Sequence, residues 1–335
     1  MDPSTKRRLQ REILRAPGTA SALAGLVGEA GVAHDAALRT ALSRLPLIDR
    51  DLKAIATEAP LRCAVFGATF GLRAMRSDEL ARRVAQNGIY ERHISAFFRQ
   101  RLKPGEVFFD VGANVGYHSM LAARTVGPGG RVVAFEPHPA MRRLLTLNAV
   151  ENRLPNITVD ARALGLSNGS ARIEVDLYDS GATAVARDGQ APAGSVGIEV
   201  VTIDQACMDH GVAPSYVKID AEGLEADILM GGRRCSGNAA RKLFRVRERS
   251  PKIVMEFCPA NNIRAQTRFA TALTRLQEVG YHACFFRGHD VAAFEPIPMA
   301  MLIELGDYWL ARGHIGFVDV LLIKHEFAKK GPPSL

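Results

Sequence analysis

From Val107 onward, short apolar runs alternate with longer amphipathic segments, and this alternation restricts the fold more than any other feature of the chain. The runs VFFDV (107–111), RVVAFE (131–136), ITVDA (157–161), YVKID (216–220), KIVMEF (252–257), YHACFF (281–286) and VDVLLI (318–323) have strand length. Several are almost continuously apolar, as strands covered on both faces must be. Helical periodicity falls between them at about 115–126, 138–150, 203–210, 223–232 and 262–279. The expected class is therefore α/β, a doubly wound, mostly parallel, seven-stranded Rossmann-like sheet. Residues 168–200, rich in Gly, Ser and Ala, read as an inserted hairpin and loop that borders the substrate.

Upstream, residues 1–58 read as helices broken at Pro17 and Gly18. A hairpin around Gly67 follows, then the helix SDELARRVAQNG with Ser77 as N-cap and Leu80 as its first apolar contact. YERHISAFFRQRL forms another helix, ended by Pro104 and Gly105. The division is an N-terminal helical extension with a short hairpin (1–84) and a main domain (85–335). The extension carries no chemical motif. A lid, packing or homo-oligomer contact is its expected use.

Composition removes several function classes. No run of 18 or more apolar residues occurs, so no transmembrane segment is expected. The start is basic, and its weakly apolar stretch is cut by Glu29, so no signal peptide is expected. Five scattered cysteines (Cys63, Cys207, Cys235, Cys258, Cys284) show neither zinc nor redox spacing and suit a reducing, cytoplasmic setting. The nine histidines form no metal-binding pair, and no metal site is expected. A net charge of +8 invites an anionic partner. The arginines are nevertheless spread along the chain, and no nucleic-acid partner is expected.

Chemistry concentrates at the first strand–helix turn, DVGANVGYHS. Gly112 and Gly116 stand four apart, which does not match the G-x-G-x-x-G spacing of a pyrophosphate site. They let backbone approach a ligand, and Asn114 sits between them in the bend. Free N–H groups from Val115 onward favour an anionic group. Asp110, ending the strand, would repel a diphosphate but accept from an ammonium. A ligand with both groups is the amino-acid half of S-adenosylmethionine. Glu136 ends the second strand 20 residues after Gly116, where an acid can take both ribose hydroxyls. Pro137 stops the strand there. Arg162, after the third strand, is placed to stack on adenine.

DVGANVGYHS, AFEPHP, LNAVENRLPNITV, VKIDAEGLEADILMGG and PKIVMEFCP occur in the order seen in FkbM-family methyltransferases, and the chain resembles that family over roughly 85–325. The resemblance implies the class I methyltransferase sheet, S-adenosylmethionine as cofactor, and methylation of hydroxyl oxygens, often on sugars or on polyketide and glycolipid products. It also implies that NGIYE is the entry segment, with Tyr90 and Glu91 closing over the cofactor.

In VKIDAEG, Lys218, Asp220 and Glu222 alternate and would share one face of an extended strand. Asp220 is the expected base, Glu222 the group orienting the acceptor, and Lys218 the charge partner. Glu256 ends the next strand. These carboxylates have the chemistry to hold a divalent metal, although none is predicted. His118, with an ordinary pKa of about 6.5, is a further candidate base. The expected activity is S-adenosylmethionine-dependent O-methylation of a hydroxylated small molecule or glycan-like acceptor. The alternatives are an RNA methyltransferase, in which Cys258 would be the candidate nucleophile, a non-catalytic S-adenosylmethionine-binding scaffold, and an NAD-dependent oxidoreductase.

Overall fold

The computed structural model describes residues 59–75, 78–173, 185–186, 195–231, 250–258, 265–286, 294–312 and 317–324. The helical reading of residues 1–58 and the Ser77 cap lie outside them. The chain opens with β1 (Leu61–Val65) and β2 (Ala68–Leu72), an antiparallel hairpin. Its central residues Phe66 and Gly67 both have positive φ, 43° and 86°, as a type I′ turn requires. Helices α1 (Glu79–Asn87) and α2 (Arg92–Arg101) follow. The α1 cap is Asp78, whose side chain accepts from the Leu80 N–H at 3.2 Å.

The doubly wound body then runs β3 (Val107–Val111), α3 (Tyr117–Val126), β4 (Arg131–Phe135), α4 (Pro139–Glu151) and β5 (Ile157–Asp160). The insertion comes next: β6 (Ala163–Leu164), β7 (Gly169–Ile173), β8 (Val185–Ala186) and β9 (Val196–Val201). These pair as a separate four-stranded sheet in which β7 and β9 are antiparallel, the anticipated hairpin. The body resumes with α5 (Ile203–His210), β10 (Tyr216–Ile219), α6 (Glu225–Gly231), β11 (Lys252–Phe257), α7 (Ala265–Glu278), β12 (Tyr281–Phe286), β13 (Phe294–Ile297), α8 (Met299–Ala311) and β14 (Val318–Lys324).

The central sheet has eight strands in the order β13-β12-β14-β11-β10-β3-β4-β5. Neighbours from β5 to β11 are parallel, and β14 enters antiparallel between β11 and β12. The seven anticipated strands are all in it. The eighth, β13, escaped periodicity because Pro296 interrupts the run. A proline cannot donate to a ladder, and β13 lies at the sheet's edge. Helix α8 was also unanticipated; its apolar residues go nearly all round, so no helical stripe stands out.

Alternation along the strands builds two cores. Phe108, Val132, Tyr216 and Val254 face a layer containing the hairpin and α1–α4. Phe109, Val133, Val217 and Ile253 face a layer containing α5–α8. Cys63, Val65 and Leu72 of the hairpin belong to the first core, and the boundary expected at residue 84 falls inside α1. Hairpin, α1 and sheet thus form one packed unit.

This parity places charge as well. Asp110 lies on Phe108's face and Lys218 on Tyr216's, and the β3–β10 register sets these two directly side by side. On the same grounds Glu256 and Asp319, paired across β11 and β14, share that face. Four ionisable side chains therefore line one face near the sheet's active edge. After β3 the chain winds out to β4 and β5, then returns to β10 on β3's other side. The crevice beyond the carboxyl ends of β3 and β10 is the topological switch point, where α/β sheets bind ligands.

Candidate active site

A cavity of about 420 Å³ opens at this switch point, within the roughly 300–1,000 Å³ typical of small-ligand sites. Asp110, Gly112, Asn114, Glu136, Pro137, Tyr90, His118, Lys218, Asp220 and Glu222 all line it. Gly116, Glu91 and Arg162 do not. Glu91 lines a small adjoining space of about 10 Å³ together with Lys218, Asp220, Glu256 and Asp319.

The glycine turn is tied together from within. Gly112 and Ala113 donate their N–H groups to the Phe135 carbonyl at 3.1 and 3.0 Å. Gly112, at φ 73°, lets β3 and β10 approach: a Cβ there would lie 1.8 Å from the Asp220 carbonyl oxygen. Gly116 makes room for the Leu145 side chain, 2.9 Å from an added Cβ. Both glycines thus serve close approach of protein to protein, and Gly112 also lines the cavity. Two of the amides from Val115 onward are engaged, Val115 N–H donating to Asn114 Oδ1 at 2.7 Å and Gly116 N–H to the Ala113 carbonyl at 2.8 Å.

Glu136 closes the turn from the next strand. Its Oε2 accepts from the Asn114 N–H at 2.6 Å and its Oε1 from the His138 N–H at 2.8 Å. Each oxygen keeps a lone pair for a hydroxyl. Burial pushes this carboxyl up to about 7, against the pull of those two N–H bonds. Asp110 is 1% exposed, and its Oδ2 accepts from Ser119 Oγ at 2.6 Å. Its Oδ1 is sealed from water and has no hydrogen-bond partner. A buried acceptor without a partner is costly. This cavity wall therefore fits a ligand that brings a donor or a cation, such as an ammonium. Asp78, Glu79, Asp110, Glu136, Asp220 and Glu222 face Arg82 and Lys218 around the cavity. Six carboxylates against two cations suit a cationic nucleoside and oppose a diphosphate.

On the β10 side of the cavity, Lys218 is buried and its Nζ donates to Asp220 Oδ2 at 2.8 Å. Burial works against the ammonium, but Asp220, Glu91 and Asp110 outweigh it and hold Lys218 well above the ordinary lysine value. The alternation of Lys218, Asp220 and Glu222 stops at the strand end. Glu222 and Gly223 take positive φ, 49° and 97°, so Glu222 reaches the cavity from a turn rather than from an extended strand. Glu225 caps that turn, accepting from the Ala221 N–H at 2.9 Å and the Gly223 N–H at 3.1 Å. Glu256 is pushed up to about 8 by burial, then by Asp220, Glu222, Asp319 and Glu225.

His118 and Glu91 form a pair, Nε2 to Oε2 at 2.7 Å. Burial disfavours the Glu91 charge, but Lys218 and His118 more than offset this and lower it to about 2. The His118 Nδ1 is buried without a hydrogen-bond partner, and its Nε2 is taken by Glu91. Tyr90 is held by the Tyr117 hydroxyl, which accepts from its N–H at 3.0 Å, and by Ser95 Oγ, which donates to its carbonyl at 2.6 Å. Arg162 is turned to other work, its guanidinium donating to Asp160 at 2.7 Å and Asp209 at 2.6 Å. Among the described residues, no cluster of three or more His, Cys, Asp or Glu is arranged to hold a metal ion. No helix among them is long and apolar enough to cross a membrane.

Ile173 of the insertion expected to border the substrate lines the cavity, and with Ala163 and Leu164 it supplies an apolar wall. Sequence reasoning missed the rim, where Asp78, Leu80 and Arg82 bring the start of α1 to the mouth. The N-cap chemistry of Asp78 was a usable signal for the helix start, but nothing local marked it as part of a site.

The chain matches the Methyltransferase FkbM domain over residues 110–283. It is 30% identical over 203 residues to the 31-O-demethyl-FK506 methyltransferase FkbM of Streptomyces tacrolimicus, covering 49% of this chain and 72% of that protein. Among solved structures it is similar to a precorrin-6y C5,15-methyltransferase from Geobacter metallireducens (16% identity, TM-score 0.34, 70% of this chain and 87% of that one). It is also similar to an S-adenosylmethionine-dependent O-methyltransferase from Thermotoga maritima (14% identity, TM-score 0.34, 82% and 81%). The ordered motifs, the acid-lined crevice at the switch point and the domain match converge: this chain belongs to the FkbM family of S-adenosylmethionine-dependent methyltransferases.

Proposed function

We propose that the protein methylates a hydroxyl oxygen of a small-molecule or glycan-like acceptor. The observation that carries this reading is the set of carboxylates around Asp220, which adjoins the cofactor cavity through Asp220 and Lys218. S-adenosylmethionine supplies a methyl group already activated by its sulfonium. The protein's part is alignment, worth roughly 7–11 kcal/mol in favourable cases, and removal of the hydroxyl proton. Asp110 and Glu136 would hold the amino-acid and ribose ends of the cofactor. Asp220 would take the proton that the acceptor hydroxyl gives up when it is methylated. Lys218 fixes Asp220 and compensates its charge. Glu222 orients the acceptor from the turn. Glu256, protonated at neutral pH, donates a hydrogen bond to a second acceptor oxygen.

The test is a radiolabelled methyl-transfer assay against hydroxylated small molecules, glycosides and RNA, with products identified by mass spectrometry. The expected result is a methyl ether on a small molecule or glycoside. Label found only in RNA, or only on nitrogen or carbon, overturns the reading. Asp220→Asn should keep cofactor affinity and lose roughly 10²–10⁴-fold in turnover. Wild-type turnover in that variant removes Asp220 from the proton transfer.

A further inference from the structure

An open groove of about 850 Å³ lies at the opposite end of the sheet from the cofactor cavity, and Arg99, Arg124, Arg131 and Arg153 line it. No aspartate, glutamate or aromatic residue is among its lining side chains. Arg99 and Arg131 each donate to a backbone carbonyl, of Phe66 at 3.2 Å and of His210 at 2.9 Å, and Arg124 donates weakly to that of Asn152 at 3.4 Å. Among the described residues none of the four has a carboxylate partner. Arg99 and Arg124 sit in the last turns of α2 and α3, and Arg153 follows the end of α4. Helix dipoles favour cations there, but each end contributes only about half a negative charge. Three such ends leave most of the positive charge uncompensated.

Backbone strain is a second, independent observation. Arg153 takes φ 55°, a left-handed position just past a helix where glycine or asparagine is usual. Such an outlier points toward a use for the side chain it carries. Gly129, by contrast, has open space where a Cβ would be, so packing does not demand a glycine there. A bare turn and a strained arginine together keep the groove open and basic.

We propose that this groove binds a phosphate-bearing, non-aromatic group. The planar guanidinium matches phosphate oxygens two at a time. The lack of a stacking surface disfavours unpaired nucleic-acid bases. A free phosphorylated compound and a phospholipid headgroup share this chemistry.

The experiment measures binding of the full chain to inositol hexakisphosphate by calorimetry, and to phosphatidylcholine vesicles with and without phosphatidylglycerol by sedimentation. Wild type, Arg124→Glu/Arg153→Glu and Arg124→Gln/Arg153→Gln are compared at low salt. S-adenosylhomocysteine affinity serves as the control for folding and for the distant site. The charge-reversed pair should lose at least about tenfold in affinity for the phosphate probe, equivalent to ~1.4 kcal/mol. The glutamine pair should fall between, with S-adenosylhomocysteine binding unchanged. Binding to the free polyphosphate alone assigns a soluble ligand; binding to anionic vesicles, a headgroup. Undiminished binding by the charge-reversed pair, or binding of neither phosphate probe by the wild type, overturns the proposal.

Discussion

Single residues here do work that their spacing alone does not reveal. Gly112 permits the contact between the glycine turn and Asp220, so Gly112→Ala must move two strand ends apart. A loss of roughly 2–4 kcal/mol is expected in chemical denaturation, and a wild-type midpoint would refute the close approach. Glu136→Ala should weaken S-adenosylhomocysteine binding at least about tenfold, read by calorimetry; unchanged affinity removes its ribose role. Protonation adds a third test. Glu136 and Glu225 are each raised to about 7 and Glu256 to about 8 by burial. Between the unfolded value and these raised values, the folded state holds protons that the unfolded state releases. Stability of the ligand-free protein must therefore fall as pH rises from about 4.5 to about 8. Thermal melting across that window should show the decline, and Glu256→Gln should flatten its upper part. A melting temperature that climbs through the window would contradict the assignment.

At the scale of elements, two asparagines of or beside α4 pin the hairpin, and Asn148 also ties it to the glycine turn. Asn148 Oδ1 accepts from the Arg73 N–H at 2.8 Å, while its Nδ2 donates to the Arg73 and Val115 carbonyls at 3.0 and 2.8 Å. Asn152 makes the equivalent pair with Gly71 at 2.9 and 2.7 Å. Each amide satisfies exposed strand backbone as another strand would. Nothing local in the sequence marks Asn148 for this, because amide pairing over 75 positions leaves no local trace. Asn148→Ala leaves Arg73 and Val115 backbone groups unpaired and should destabilise by roughly 2–4 kcal/mol. It should also weaken cofactor binding, since Val115 belongs to the turn. Full stability in urea melts would show that the hairpin docks by apolar packing alone. The strands and most helices were legible beforehand for a simple reason: both faces of the sheet are covered, and burial writes apolar runs directly into the sequence. β13 and α8 were not, one broken by Pro296 and the other apolar on too many sides.

For the whole molecule, the decisive quantity is the balance of charge around the cavity. A chain of net charge +8 presents six carboxylates and two cations to its ligand. S-adenosylmethionine carries one more positive charge than S-adenosylhomocysteine, so the field should favour the donor over the product. Calorimetry at low salt should find the donor bound about tenfold more tightly, with the gap narrowing as salt screens it. Equal affinities would mean that the carboxylates are neutralised on binding.

The sequence by itself determined the layer order, the glycine bend and the acids at the strand tips, because burial period, turn chemistry and strand ends are local properties. It carried the family in the order of its motifs. The Lys218–Asp220 pair was legible in their alternation, but tertiary structure alone decided that Glu91 engages His118 and that Arg162 donates to Asp160 and Asp209. It also brought the start of α1 to the cavity. These outcomes depend on register between strands and on helix docking, and a side chain's partner across such an interface is set by distance in space, which separation along the chain does not encode.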